Sequence, residues 1–263
     1  MCDDHVHIPP VHIFLTVPDL GRMKGGLSVF PFKLAGADLV ADHQGALWWP
    51  EQQLLAFADL HLEKGSAYAS RTTQMLPPYD THATLKLMGE IAARHEPRRI
   101  VCLGDNFHDE EGPSRLDAAA RASLHALMKG RRFIWIEGNH DAAAAMALGG
   151  ECAPSLTIGP LAFRHEADPE SGEGEVSGHF HPVVTIATRL KRVRRKCFVS
   201  NGMRCVMPAL GAFTGGLDVL DDAFAPLFTG AFSTFALGRD RVYHFAQRSA
   251  LAPKRRLVPG VGL

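Results

Sequence analysis

Three apolar runs in the first half of the chain each end on side chains with metal-ligating oxygen or nitrogen atoms. QLLAFADLH (53–61) delivers Asp59 and His61, RRIVCLGDNFHD (98–109) delivers Asp105, and RRFIWIEGNHD (131–141) delivers Asn139, His140 and Asp141. Further on, RHE supplies His165, and GHFH supplies His179 and His181 after another strand-like run. Carboxylate, imidazole and amide oxygen, with no thiolate, suit borderline-hard divalent ions such as Mn²⁺, Fe²⁺ or Zn²⁺. One carboxylate has two oxygens and can bridge two ions. Two ions about 3.5–4 Å apart form a clamp for in-line displacement at phosphorus. Asp, Asn and Gly also favour turns, and turn chemistry would account for each piece alone. It does not account for the whole ligand set arriving in order at strand ends.

The runs that carry these residues are nearly continuous in apolar side chains, as strands buried on both faces must be. Between them, DTHATLKLMGEIAARH (80–95) places Leu85, Met88, Ile91 and Ala92 at helical spacing and is ended by Pro97. SRLDAAARASLHALMKG (114–130) reads as a helix capped by Ser114 and stopped by Gly130. Strand, helix, strand, helix, strand argues for a layered α/β architecture with parallel strands in its first half. In open α/β sheets function gathers beyond the carboxyl ends of the strands, which is where the ligands fall. LAGADLVAD (34–42) and GALWWPE (45–51) flank a hairpin signal, Asp42-His43-Gln44-Gly45. From Leu156 to Phe245 short strands and turns predominate, which predicts a second, mixed or antiparallel sheet packed on the first. Residues 1–30 are expected to form a loosely ordered extension, 31–247 one domain, and 248–263 a C-terminal tail.

A chain of 263 residues that is 46% hydrophobic suffices for one large core. Its 28 basic and 28 acidic residues cancel, so global electrostatics favours no partner and nucleic-acid binding needs a local patch. RLKRVRRK (189–196), directly after GHFHP, offers one. Arg189, Lys191, Arg192, Arg194 and Arg195 are candidate phosphate contacts. A solvated strand face would carry the same charges. No aromatic residues interleave there, so sequence-specific readout is not indicated. Lys64 and Arg71, after the first ligand motif, could meet substrate phosphates or solvent, and Thr214-Gly215-Gly216 reads as a turn. Five cysteines without CxxC spacing point to reduced thiols and a cytoplasmic protein. No signal peptide or membrane span is expected. Of three D-x-H pairs, only Asp59/His61 ends an apolar strand. Asp80/His82 opens a helix, where Asp80 is expected as N-cap, and Asp3/His5 lies in the N-terminal extension.

The order D-x-H, G-D, G-N-H-D, H, G-H-x-H, from about Ala58 to His181, resembles the calcineurin-like metallophosphoesterase superfamily. The resemblance implies an α/β fold, a four-layer αββα sandwich of two mixed β-sheets flanked by helices. It implies that Asp59, His61 and His181 hold one ion, that Asn139, His165 and His179 hold a second, and that Asp105 bridges them. A hydroxide between the ions would attack phosphorus. His140 would not be a ligand; it would stabilise charge on the phosphoryl oxygens or protonate the leaving group. Asp141 is expected to cap the next helix. One motif departs from the family. Its usual form is G-D-x-x-D or G-D-x-x-N, the last residue supporting the catalytic histidine. Here GDNFHD puts His108 at that position with Asp109 beside it, and either could support His140. The absence of tyrosine at 108 argues against the purple acid phosphatase branch.

HLEKGSAYASRTTQMLPPYDTHATL, GDNFHDEEG, RHE with SGHFHP, and RRKCFV with GAFTGGLDV resemble, more narrowly, the ligase-associated DNA-damage-response endonucleases of the PdeM family, over about residues 32–245. That resemblance implies a manganese-type phosphodiesterase of the bacterial cytoplasm, a DNA endonuclease in DNA repair with a ligase and a helicase as partners. Two other readings stand beside it. One is a small-molecule phosphoesterase acting on nucleotides or cyclic nucleotides, and the other is a non-catalytic, metal-stabilised scaffold for repair proteins.

Overall fold

The computed structural model describes residues 29–71, 76–77, 79–139, 148–172, 174–187 and 191–247. The expected tail lies outside them, as does the expected extension except for Val29 and Phe30. Those two open the first strand, paired with Asp42 and Ala41.

The first sheet has seven strands side by side in chain order: β1 (Val29–Leu34), β2 (Ala37–Asp42), β3 (Leu47–Trp49), β4 (Leu54–Phe57), β5 (Arg99–Leu103), β6 (Arg132–Ile136) and β7 (Glu151–Ala153). Pairing is antiparallel from β1 to β4 and parallel from β4 to β7. The β2–β3 hairpin turns at the expected place. Gly45 takes φ 102°, a left-handed value that favours glycine, and the Asp42 carboxylate accepts the Gln44 N–H at 2.8 Å. Helices α1 (Lys64–Arg71) and α2 (Asp80–His95) join β4 to β5, and α3 (Gly112–Arg115) and α4 (Ala118–Met128) join β5 to β6.

The second sheet contains β8 (Ser155–Ile158), β9 (Leu161–Arg164), β10 (Gly174–Ser177), β12 (Arg192–Ser200), β13 (Arg204–Val206), β14 (Phe232–Leu237) and β15 (Val242–Gln247), in the order β15-β14-β12-β13-β10-β9-β8. Strand β11 (Val183–Ala187) pairs with the outer half of β12, and its Val183 also bridges to Asp218. That outer half is largely exposed, whereas Cys197–Ser200 is buried within the sheet.

Alternation along the buried strands builds the layers. Leu55, Phe57, Ile100, Cys102, Phe133 and Trp135 face α2 and α4 through Leu85, Met88, Ile91, Leu124 and Leu127. Leu54, Ala56, Val101, Leu103, Ile134 and Ile136 face the second sheet through Leu161, Phe163, Val176, Phe198 and Phe235. Phe57 and Phe163 are 0% exposed, and burying each such ring stabilises the fold by about 1.5–3 kcal/mol. The two mixed sheets and the helices over the first agree with the expected metallophosphoesterase architecture. The outer face of the second sheet is covered by Val219, Phe224, Leu227 and Phe228. Among the described residues these come from loop and a short 3-10 turn, Asp222–Phe224, rather than from a longer helix.

Two expected caps move. The helix over 114–130 divides, because Leu116 is extended (φ −55°, ψ 124°), and Asp117 rather than Ser114 caps α4 by accepting the Ala120 N–H at 2.7 Å. Tyr79, not Asp80, precedes α2. Asp80 instead turns its buried carboxylate to the N-terminus of α1, accepting the Gly65 N–H at 3.0 Å, while Thr81 Oγ1 accepts the Glu63 N–H at 2.8 Å. The second helix therefore satisfies amides that the first leaves open.

Candidate metal centre

The loops that follow β4, β5 and β6 in the first sheet and β9 and β10 in the second meet at one end of the sandwich. Two groups of ligand atoms converge there, Asp59 with His61 and His181, and Asp105 with His165 and His179. Within each group the atoms lie within 4.8 Å of one another. His61 Nε2 is 3.2 Å from His181 Nε2, and His181 Nε2 is 3.4 Å from Asp59 Oδ1. In the second group His165 Nε2 is 3.2 Å from His179 Nδ1. The Asn139 amide is 3.4 Å from the same His179 nitrogen, and a flip of that amide turns its oxygen to the same point. Asp105 lies between the groups, with Oδ1 3.4 Å from His165 Nε2 and Oδ2 3.8 Å from His61 Nε2.

Hydrogen bonds orient these donors. His165 Nδ1 donates to the Leu103 carbonyl at 2.9 Å, which leaves the Nε2 lone pair facing the centre. The His179 N–H donates to both Asp59 carboxylate oxygens at 3.0 and 3.1 Å, and the Asn139 N–H donates to Asp105 Oδ1 at 3.1 Å. The His61 N–H donates to the Asp105 carbonyl at 2.9 Å. The backbone is unusual at the same residues. Of the nine described non-glycine residues with positive φ, five are Asp59, His61, Asp105, His179 and His181. Each such conformation costs about 1–3 kcal/mol and persists only where the surroundings over-determine it. Lone pairs and carboxylates converging twice within 4.8 Å, on strained backbone, fit a pair of divalent cations.

A cleft of about 590 Å³ opens over the first group. It is lined by His61, His179 and His181, by Lys64, His108 and Asp109, and by Phe180 and Leu217. A second cavity of about 440 Å³ adjoins Asn139 and His165 on the other side and includes Arg164 and Glu166. His108 therefore lies in the cleft wall, its ring 5.6 Å from Tyr68 and 6.4 Å from His61. Asp109 is drawn to Arg115, whose guanidinium donates to it at 2.7 Å. Lys191, Arg192, Arg194 and Arg195 are exposed on the β11–β12 hairpin, whose first strand begins two residues after His181. Arg194 Nη2 also donates to the Gly216 carbonyl. His140, Asp141 and Arg189, and the Arg71 side chain, lie outside the described residues. Phe180 and Leu217 were not foreseen as part of the cleft. The only signal for them in the sequence is their place beside the histidine motif and the glycine pair.

The calcineurin-like phosphoesterase family model matches residues 53–203, a span that holds every candidate ligand. The chain belongs to that family and is a metal-dependent phosphoesterase. Among solved structures it is similar to the Pseudomonas putida nuclease MPE, at 27% identity over 83% of this chain and 100% of that chain, with a TM-score of 0.65. It is also similar to Yfce, a phosphoesterase from E. coli, at 18% identity over 73% of this chain and 98% of that chain, with a TM-score of 0.39. Comparison with curated proteins gives no match. Among the described residues no helix is long and apolar enough to cross a membrane.

The centre makes stability depend on pH. Burial, and then the neighbouring His181, push the His61 imidazole down to about 4, against the pull of Asp105 and Asp59. Burial lowers His43 and His244 in the same direction. An unfolded histidine titrates near 6.5, so between about 4 and 6.5 the unfolded chain binds more protons. Stability is whole above that window and is lost as pH falls through it. The urea midpoint of the metal-free protein is expected to drop between pH 7 and pH 5, with a smaller drop in His61→Gln. An equal drop in both proteins would show that His61 is not a source of the dependence.

Proposed function

We propose that the protein is a dinuclear-metal phosphodiesterase that hydrolyses DNA. The observation that carries the two-ion reading is Asp105, whose two carboxylate oxygens face different histidine groups, at 3.4 Å from His165 and 3.8 Å from His61. In this reading Asp59, His61 and His181 hold one ion and Asn139, His165 and His179 the other. When bound, such a pair supplies Lewis acidity toward a phosphoryl oxygen and lowers the pKa of an attacking water. Manganese fits the oxygen-and-imidazole donor set, and Fe²⁺ or Zn²⁺ fits it as well.

The chain's own residues do the rest. His165, held by the Leu103 carbonyl, keeps Nε2 unprotonated for its ion. Lys64 brings a positive charge to the cleft wall, where a phosphate would enter. His140, next to Asn139 in sequence, is assigned the charge-stabilising or proton-donating role. His108 and Asp109 both line the cleft and either is a candidate support for it, Asp109 while also accepting from Arg115. DNA as substrate is supported by the likeness to a nuclease and by Lys191, Arg192, Arg194 and Arg195 on a hairpin that starts beside His181. A role in repair beside a ligase and a helicase extends this reading along the family resemblance.

Covalently closed circular DNA, single- and double-stranded, tests the reading with Mn²⁺. A closed circle has no ends, so any cutting is endonucleolytic. Wild type is expected to cut, and Asp105→Ala to lose several kcal/mol of transition-state stabilisation, on the order of 10²–10³-fold in rate. A preparation that hydrolyses a generic small phosphodiester but leaves both circles intact would instead indicate a small-molecule substrate. Replacing Lys191, Arg192 and Arg195 together by Gln is expected to weaken DNA binding and to flatten its salt dependence, by about one unit of slope for each phosphate no longer neutralised. Unchanged affinity and slope would remove the hairpin from the DNA path.

A further inference from the structure

Among the described cations of the basic run 189–196, Lys196 is half-buried whereas Lys191, Arg192, Arg194 and Arg195 are exposed. Alternation in the β11–β12 hairpin sets Lys196, Arg194 and Arg192 opposite Val183, Thr185 and Ala187 on one face. The inner end of that face lies under the loop 209–217. Lys196 Nζ donates three hydrogen bonds to that single loop: to the Ala209 carbonyl at 2.8 Å, the Gly211 carbonyl at 3.1 Å and Thr214 Oγ1 at 2.9 Å. These account for all three donors of an ammonium group. Burial pushes its pKa down to about 8, against the pull of the Asp59 carboxylate.

The loop that Lys196 holds touches both backbone segments of the first ligand group. Leu210 N–H donates to the Ala58 carbonyl at 2.8 Å, and Gly211 N–H to the Asp59 carbonyl at 3.1 Å. A Cβ at Gly211 would lie 2.3 Å from the Leu60 carbonyl oxygen, so only glycine admits this approach. At the loop's other end a Cβ at Gly216 would lie 2.1 Å from the His181 carbonyl oxygen. There Leu217 N–H donates to the Phe180 carbonyl at 3.3 Å, and Val183 N–H to the Leu217 carbonyl at 2.8 Å. The Asp59–His61 turn belongs to the first sheet and the His179–His181 turn to the second. The 209–217 loop bridges them.

We infer that Lys196 is a positioning residue for the Asp59, His61 and His181 ion subsite, acting through the 209–217 loop that clamps both ligand turns. The inference rests on the two-ion reading. It predicts an asymmetry that a general contribution to stability would not produce. On the other side of the centre His165 and Asn139 are oriented by the Leu103 carbonyl and the Asp105 carboxylate rather than by this loop, and His179, which shares a clamped turn, is the one member the loop reaches.

Lys196→Met keeps the aliphatic stem and removes the donors. Mn²⁺ titrated into metal-free protein, with free ion read by electron paramagnetic resonance, counts bound ions and their affinities. Wild type is expected to bind two. In Lys196→Met one binding step is expected to weaken by about 10–100-fold, the range for losing a group that orients ligands, while the other stays within about threefold. The weakened step is assigned by pairing the substitution with others. Lys196→Met should weaken the remaining ion of His165→Gln by the larger factor and that of His181→Gln by no more than about threefold. If Lys196→Met does not fold, Thr214→Val, which removes one of the three acceptors, should give the same asymmetry at smaller size. Equal weakening of both steps, or of neither, in folded protein would overturn the inference. A wild type that binds a single ion would overturn the two-ion reading instead.

Discussion

The centre is built on a seam between two sheets, and everything else depends on keeping that seam in register. Asp59, His61, Asp105 and Asn139 arrive from the first sheet, and His165, His179 and His181 from the second. An error of an ångström between the sheets would separate ligand atoms that now lie within 4.8 Å of one another. Two kinds of interaction hold the register. The shared apolar layer around Leu54, Val101, Ile134, Phe163, Val176 and Phe198 fixes the sheets face to face, and close packing leaves it little room to slide. Polar bonds then cross at the rim. The His179 amide reaches the Asp59 carboxylate, and the His165 imidazole reaches the Leu103 carbonyl.

This arrangement also explains where the backbone strain can be kept. Five candidate ligand residues hold positive φ, at about 1–3 kcal/mol each. They follow directly on strands whose side chains are almost wholly buried, so the core offsets the strain close to where it arises. The same positions aim side chains that regular strand geometry would send to opposite faces. His179 and His181, two apart, serve different ligand groups, and Asp105 reaches both.

Much of this was legible in the sequence because strands buried on both faces leave an unbroken apolar signature, and because ligand types at their ends are not needed for packing. The parallel strands at 54–57, 99–103 and 132–136 and the second sheet follow from that signature. What was not legible depends on partners distant in the chain. Asp80 looked like the cap of its own helix, but its carboxylate serves Gly65 of the preceding one. Ser114 and Asp117 both suit a cap, and only the extended Leu116 between them decides. Lys196 is indistinguishable in sequence from its exposed neighbours until the 209–217 loop is folded over it. That Asp109 accepts from Arg115 was likewise not legible before the chain was folded.

The central claim is that one carboxylate, that of Asp105, joins two ions, each held between the two sheets. Anomalous diffraction at the manganese absorption edge, from crystals soaked in Mn²⁺, tests it directly. The account predicts two peaks about 3.5–4 Å apart, one beside His61 and His181, the other beside His165 and His179, with Asp105 between them. A single peak, or two peaks of which only one touches Asp105, would contradict it.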